Sequence, residues 1–530
     1  MPGRLAVDFG TSNTVVAVWD EAAKSGRPLR IPGYSRSFAQ GEDDVPVVPS
    51  LIHYAVDRQR WVGDQVLHRN LYRSPATFRW MKRYVAQRSP RTVRVDGRAI
   101  SHVDAGRDFL SSVLLAAAAE ADVHDEEIVL TVPVESFEHY EDWLAEVAVH
   151  AGLPRFRLID EPSAAALGHG AHIQAHDVYL IFDFGGGTLD VAVVLIEEDV
   201  TERAGRRCRV LGKAGADLGG TQIDGLLFRH VLKANGRQDS DDAMRRVSND
   251  LLIQCEAAKE RLSFADHAEI GVMNPETGAV LTCDLTRAAF EELLEENDVY
   301  AQVVQTLRRA MNAAREAGFG EADVKAALMV GGSSFIPSVQ RLMRREFGDR
   351  VLLERPLDAV ARGAAAFAAG VDFYDHIQHD YAIRCLRADK CGYEYHPLVR
   401  RGTPYPSAGP LATLTVKASY EGQSQLGLAI AEMGEQRGRG SDRRLELVFD
   451  PSGAARVVTV SPDEEESRSV FWMNEESPTF LRADPPALRG GEERFRVDFA
   501  VDGNKRLLIT VRDAVTGKMT HRDYPVVKLT

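Results

Sequence analysis

Val7-Asp8-Phe9-Gly10-Thr11-Ser12-Asn13-Thr14-Val15-Val16 returns as Phe182-Asp183-Phe184-Gly185-Gly186-Gly187-Thr188-Leu189-Asp190-Val191 about a third of the way along the 530-residue chain. Each copy is an apolar run ending in Asp, a Gly/Thr turn, and a second apolar run, which predicts a β-hairpin with a glycine tip. Two such tips predict two similar halves facing one ligand. Glycine admits positive φ and has no Cβ, so successive backbone N–H groups can converge on phosphate oxygens, with the Thr11, Ser12 and Thr188 hydroxyls adding donors. Asp8 and Asp183, each where a strand meets its turn, would repel a phosphate unless a cation lay between them, which argues for Mg²⁺ held largely through water. A third glycine pair, Gly331-Gly332, follows another apolar run. Either hairpin alone would be unremarkable in a globular protein; the recurrence is what points to a nucleoside triphosphate.

The composition sets outer limits. The chain is 44% hydrophobic and 27% charged with a net charge of −14. That balance disfavours a general binder of nucleic acid or of anionic membrane surfaces. No apolar run reaches the length of a bilayer span and no signal-peptide pattern opens the chain, so a cytoplasmic location is expected. Five scattered cysteines without a CxxC pair argue for reduced thiols rather than a disulfide framework or a structural zinc site.

Up to about residue 370, strand patterns alternate with helical ones, with helices expected over 106–121, 138–151, 243–262, 287–317, 336–347 and 359–369. A stretch of mixed apolar and acidic residues, 371–380, reads as a linker. From 381 to 530 the chain is strands and turns, the spacing of an antiparallel sandwich. The basic, Gly-rich stretch Gly434 to Arg444 reads as a solvated hairpin loop, and the acidic Pro462 to Arg468 as a solvated turn.

These residues resemble the 70-kDa heat-shock chaperone family, within the actin, hexokinase and heat-shock ATPase superfamily. Residues 7–14 and 182–191 resemble its two phosphate loops. Val132-Pro133, Ala151-Gly152-Leu153 and Asp160-Glu161-Pro162-Ser163-Ala164-Ala165-Ala166 resemble the connecting segment, and Val330-Gly331-Gly332-Ser333-Ser334-Phe335-Ile336-Pro337 the adenosine loop. The resemblance implies an α/β, actin-like (ribonuclease-H-like, duplicated) ATPase domain over 1–370, a linker over 371–380, and a β-sandwich substrate-binding domain over 381–530. The family continues into a helical lid, so a lidless member is expected from a sequence that stops at Thr530.

The same resemblance implies a slow ATPase with ATP or ADP and Mg²⁺ as cofactors and K⁺ as a further candidate. It assigns catalysis to Lys82, Glu161, Asp183, Thr188 and Asp190, and the metal to Asp8 and Asp183. Nucleotide binding falls to Gly10, Thr11, Ser12, Asn13, Gly185, Gly186, Gly187, Gly219, Gly220, Gly331, Gly332, Ser333 and Phe335. Glu256, Lys259, Glu260 and Ser263 share one face at 100° per residue, and the resemblance makes that face the ribose and adenine contact. The family sandwiches the base between two arginines; here Glu260 and Phe335 stand at those positions, so an aromatic stack on Phe335 is expected. Implied partners are unfolded or extended polypeptide, a J-domain co-chaperone and a nucleotide exchange factor, in a stress-response role. A second reading, a nucleotide-regulated module for one dedicated protein partner, stays open. Glu141 occupies a position where the family has Arg, and the linker lacks the usual leucines, so weakened coupling between ATP and substrate binding is expected.

Overall fold

The computed structural model describes residues 4–40, 43–56, 59–123, 126–133, 138–169, 176–198, 206–238, 244, 246–275, 277–370, 377, 379–387, 393–403, 405–433, 445–461, 470–474, 479–502 and 505–529. They form two compact units. The first comprises Met1–Ser136, Tyr140–Tyr374 and Arg443–Val460; the second comprises Phe137–His139, Asp375–Asp442 and Ser461–Thr530. Most of the expected linker, the Gly434 to Arg444 loop, the Pro462 to Arg468 turn and Cys391 lie outside the described residues.

Both predicted hairpins form. Leu5–Asp8 pairs antiparallel with Asn13–Asp20, Asp8 opposite Val15, and Val178–Phe184 pairs with Leu189–Glu198, Asp183 opposite Asp190. The duplication extends outward, since each hairpin's first strand also takes a parallel neighbour, Ile128–Val132 in one half and Val324–Val330 in the other. Strands flanked on both sides favour mainly apolar sequence, and Val178–Phe184 and Val324–Val330 supply it apart from Asp183 and Lys325. The first half is thus built on a seven-stranded sheet and the second on a five-stranded one. Two alanine-rich helices, Glu161–Gly168 and Ala359–Ala368, cross where the halves meet. A Cβ on Gly168 or Gly363 would overlap the other helix's backbone at Ala359 or Ala164, so glycine at these crossings lets the helices approach closely.

The expected helix over 287–317 is two helices, Arg287–Glu296 and Val299–Glu316. Asp298 adopts a left-handed conformation (φ 57°) between them, which side-chain periodicity does not reveal because both segments keep their apolar stripes. The helix expected over 243–262 runs Ser248–Phe264.

In the second unit the sheet containing Tyr393–Val399, Asp380–Leu386, Ile430–Met433 and Val470–Trp472 shares an apolar core with the sheet containing Ala412–Lys417, Glu493–Val501, Arg506–Asp513 and Met519–Lys528. The strands expected near 443–449 and 456–460 exist as Leu445–Phe449 and Ala455–Thr459, but they belong to the first unit and bury Leu447, Phe449 and Ala455 in its core. Among the described residues no helix is long and apolar enough to cross a membrane, and Cys255, Cys283 and Cys385 are free thiols.

Candidate nucleotide site

The two hairpin tips meet face to face. A Cβ on Gly186 would lie 2.6 Å from Ser12 Oγ, and one on Gly187 would lie 2.5 Å from Thr11 Oγ1, so glycine in the second tip lets it close against the hydroxyls of the first. The helix Gly220–Ala234 starts against the second tip: Gly220 N donates to Gly185 O (3.1 Å) and Thr221 N to Gly186 O (2.8 Å). Gly219 backs this tip, with no space for a Cβ beside Gly187. Ser333 Oγ donates to Gly185 O at 2.8 Å, which ties the Gly331-Gly332 turn to the same loop, and Gly331 itself needs its positive φ of 80°.

Between the tips lies a charged cleft floor. Asp160 caps the helix Glu161–Gly168, accepting from Ser163 N at 2.9 Å, with proline next in line at the favoured first turn. That cap fixes Glu161 as the first helical residue, where its carboxylate pairs with the Lys82 ammonium. Lys82 comes from the short helix Met81–Ala86, and both partners are buried. Thr131 Oγ1 donates to Asp8 Oδ1 at 2.8 Å. Desolvation raises the carboxyls of Asp8 and Glu161 above their usual range, only partly opposed by Lys82. Asp183 is pushed well up, first by desolvation and then by the neighbouring Glu161, Asp190 and Asp8 charges. Burial works against the Lys82 charge, but Glu161 and Asp8 outweigh it and hold the ammonium above its ordinary value. Three carboxylates therefore share one cation.

The far end of the cleft is lined by Glu256, Lys259, Glu260 and Ser263 on one side of the helix Ser248–Phe264 and by Phe335 after the glycine turn. Lys259 Nζ pairs with Asp224 Oδ1 at 2.8 Å and donates to Gly220 O at 3.2 Å. Desolvation pushes Asp224 up to about 7, and Glu256 adds to the shift against the pull of Lys259. Phe335 is half-buried and its ring lies 5.4 Å from that of Phe264, tilted by 53°. Phe264 is 66% exposed, so an aromatic face stands open at the cleft mouth.

One cavity thus collects Asp8, Gly10, Thr11, Ser12, Asn13, Lys82, Glu161, Asp183, Gly185, Gly186, Gly187, Thr188 and Gly220 with the nucleoside-end residues above and Gly331, Gly332 and Ser333. Asp190 and Gly219 do not line it; Asp190 is buried opposite Asp183 in the strand ladder. Sequence reasoning missed Asp224 and Thr131, which hold Lys259 and Asp8 from behind the cavity, and the apolar wall of Phe38, Val47, Phe264 and Leu357. Asp224 carries a usable signal, being polar in the turn that follows Gly219-Gly220; the wall residues come from separate elements and carry none.

The Hsp70 protein family profile matches residues 5–374. The chain is also similar over nearly its whole length to named chaperones. An HscA homologue from Bordetella petrii is 28% identical over 97% of this chain and 76% of its own length. A DnaK from Deinococcus proteolyticus is 27% identical over 98% of this chain and 78% of its own, and an HscA homologue from Cupriavidus taiwanensis 27% identical over 97% and 77%. With the profile covering well over half of its residues, the chain belongs to the Hsp70 family.

Proposed function

We propose that the protein is a slow, Mg²⁺-dependent ATPase of chaperone type, with an actin-like nucleotide domain, whose second unit holds unfolded or extended polypeptide. The observation that carries this is the meeting of the two glycine tips over a floor of Asp8, Glu161, Asp183 and Lys82. Backbone amides and hydroxyls at the tips bind the phosphates, and the Lys82 ammonium faces the terminal phosphate, where charge develops on transfer to water. Thr188 and Asp183 orient the attacking water, while Asp190, opposite Asp183 in the strand ladder, adds a like charge that raises the proton affinity of Asp183. The donor set suits Mg²⁺: hard carboxylate oxygens, more of them than one ammonium can balance, and raised proton affinity where no cation is paired. Asp8 and Asp183 would hold it, largely through water, and when bound it neutralises phosphate charge.

For the second unit, support comes from an edge. Among the described residues Tyr393–Val399 ends its sheet and exposes Tyr393 (58%), so an extended peptide can add as a further strand beside aromatic side chains. J-domain and exchange-factor partners and a cytoplasmic, stress-linked role follow from the family alone. The test is phosphate release from ATP with Mg²⁺ and with a chelator, alongside calorimetric ATP binding. Failure of both would overturn the ATPase reading. Suppressed aggregation of several unrelated unfolded proteins separates a general chaperone from a module for one dedicated partner.

A further inference from the structure

The hairpin Leu445–Phe449 and Ala455–Thr459 is joined to the second unit in sequence but built into the first, where it touches both halves of the nucleotide domain. Its turn is preset: Asp450 Oδ1 accepts from Ser452 N at 2.8 Å and Ala454 N at 3.2 Å, and Gly453 takes a positive φ of 79°. On the first half, the Glu446 carboxylate forms a buried ion pair with Arg83. Phe449 N donates to Tyr84 Oη at 3.2 Å, and the Phe449 ring lies 5.2 Å from that of Trp80. Arg83 and Tyr84 follow Lys82 on its short helix, and Trp80 stands just before the helix starts. On the second half, Asn249 Nδ2 donates to Gly453 O at 3.0 Å, from the helix that carries Glu256 and Lys259. Leu447 packs on Gly225 of the helix whose first turn holds the Gly185-Gly186 tip.

We propose that this hairpin is an internal clasp: it ties the Lys82 helix of one half to the nucleoside-binding helix of the other and so restrains the opening through which nucleotide leaves. The inference rests on the nucleotide reading above. A cleft between two lobes releases its ligand by local opening, and whatever bridges the lobes only in the closed state slows that opening. The bridge is well placed for this. Arg83 and Glu446 are both buried, so parting them would strand two unpaired charges, and Arg79, lying 5.9 Å from the Phe449 ring centre, continues the contact toward Glu256. Asn249 and Gly453 form the arm on the other half, held by one hydrogen bond.

The experiment is stopped-flow release of a fluorescent ADP analogue from the full chain, chased with excess ADP. Phe449→Ala is expected to speed release at least tenfold and Asn249→Ala roughly three- to tenfold. Ile509→Val, in the core of the second unit, serves as the control for general destabilisation and should leave release within twofold of wild type. Asn249→Ala keeps the test decisive if Phe449→Ala fails to fold. Release unchanged in a folded clasp variant, or raised equally by Ile509→Val, overturns the clasp while the nucleotide site stands. A wild-type chain that binds no analogue overturns the nucleotide reading, and the clasp's role with it.

Discussion

Lys82 gives the sharpest test of the cleft. Replacing it with Ala changes the floor from three carboxylates balanced by one ammonium to three with none, facing a triphosphate. Two unit charges about 4 Å apart interact by about 4 kcal/mol at an effective dielectric near 20. Only the part that grows as charge moves onto the terminal phosphate affects the chemical step, and single preorganised donors of this kind contribute about 2.7–4 kcal/mol. Turnover should therefore fall about a hundred- to a thousandfold. ATP affinity should change by less than about tenfold, because the glycine tips and the nucleoside end are untouched. Glu161 loses its partner, but its raised proton affinity lets it take up a proton in place of the ammonium, so the variant should fold with reduced stability. Lys82→Arg should not restore turnover, since a planar fork does not replace a compact ammonium. Single-turnover hydrolysis and calorimetry on the two variants measure both quantities. Turnover within fivefold of wild type removes Lys82 from the mechanism, and loss of ATP binding instead of turnover refutes its placement in the transition state.

Three further outcomes can be measured, two at this site and one at Glu141 on the helix Glu138–His150. Phe335→Ala should weaken ATP binding about ten- to a hundredfold with little change in Tm and Phe335→Arg should largely recover it, since either a ring or a guanidinium can stack on a purine; a sharp fall in Tm for both would make Phe335 a packing residue. Asp224 is held up at about 7 in the folded chain against about 3.9 unfolded, so the folded state keeps its proton through that window and is progressively disfavoured as pH rises. The stability of wild type relative to Asp224→Asn should then fall between about pH 4 and 7, by up to about 1.4 kcal/mol per unit, and a difference independent of pH in denaturant titrations would contradict the assignment. Glu141 in place of Arg leads to the expectation that ATP lowers peptide affinity less than a hundredfold, about 2.7 kcal/mol of coupling; a larger drop in fluorescence-anisotropy titrations would show the relay intact.

The site was legible where backbone chemistry restricts the residue. Gly186, Gly187 and Gly331 stand where a Cβ would collide with the facing loop or strand, and Gly10 where one would strike Asn13 of its own turn, so their pattern in the sequence carries the geometry directly. Glu161 was legible through its neighbours, because Asp160 and Pro162 make a helix start that fixes its position. Phe38, Val47 and Leu357 were not, since an apolar residue on a strand or loop reads the same whether it faces a core or a ligand. The break at Asp298 was hidden for a related reason: one left-handed residue reorients a helix without disturbing the apolar spacing on either side.

The hairpin at 445–459 shows where pattern reading runs out and what replaces it. Leu445-Glu446-Leu447-Val448-Phe449 reads as a strand from its apolar residues, and nothing in that local pattern says what Glu446 faces. In the structure Glu446, Leu447, Val448 and Phe449 are all buried, while Leu445 is 47% exposed. A strand covered on both faces needs two walls, and an acidic residue inside it needs a cation on one of them. Arg83 supplies the cation, 363 residues away in sequence, from the helix that also presents Lys82. No local rule could pair them, yet the pairing joins a segment that follows the strands of the second unit to the helix carrying the candidate catalytic lysine. Arg83 and Asn249 thus hold this hairpin from opposite sides of the candidate nucleotide cleft.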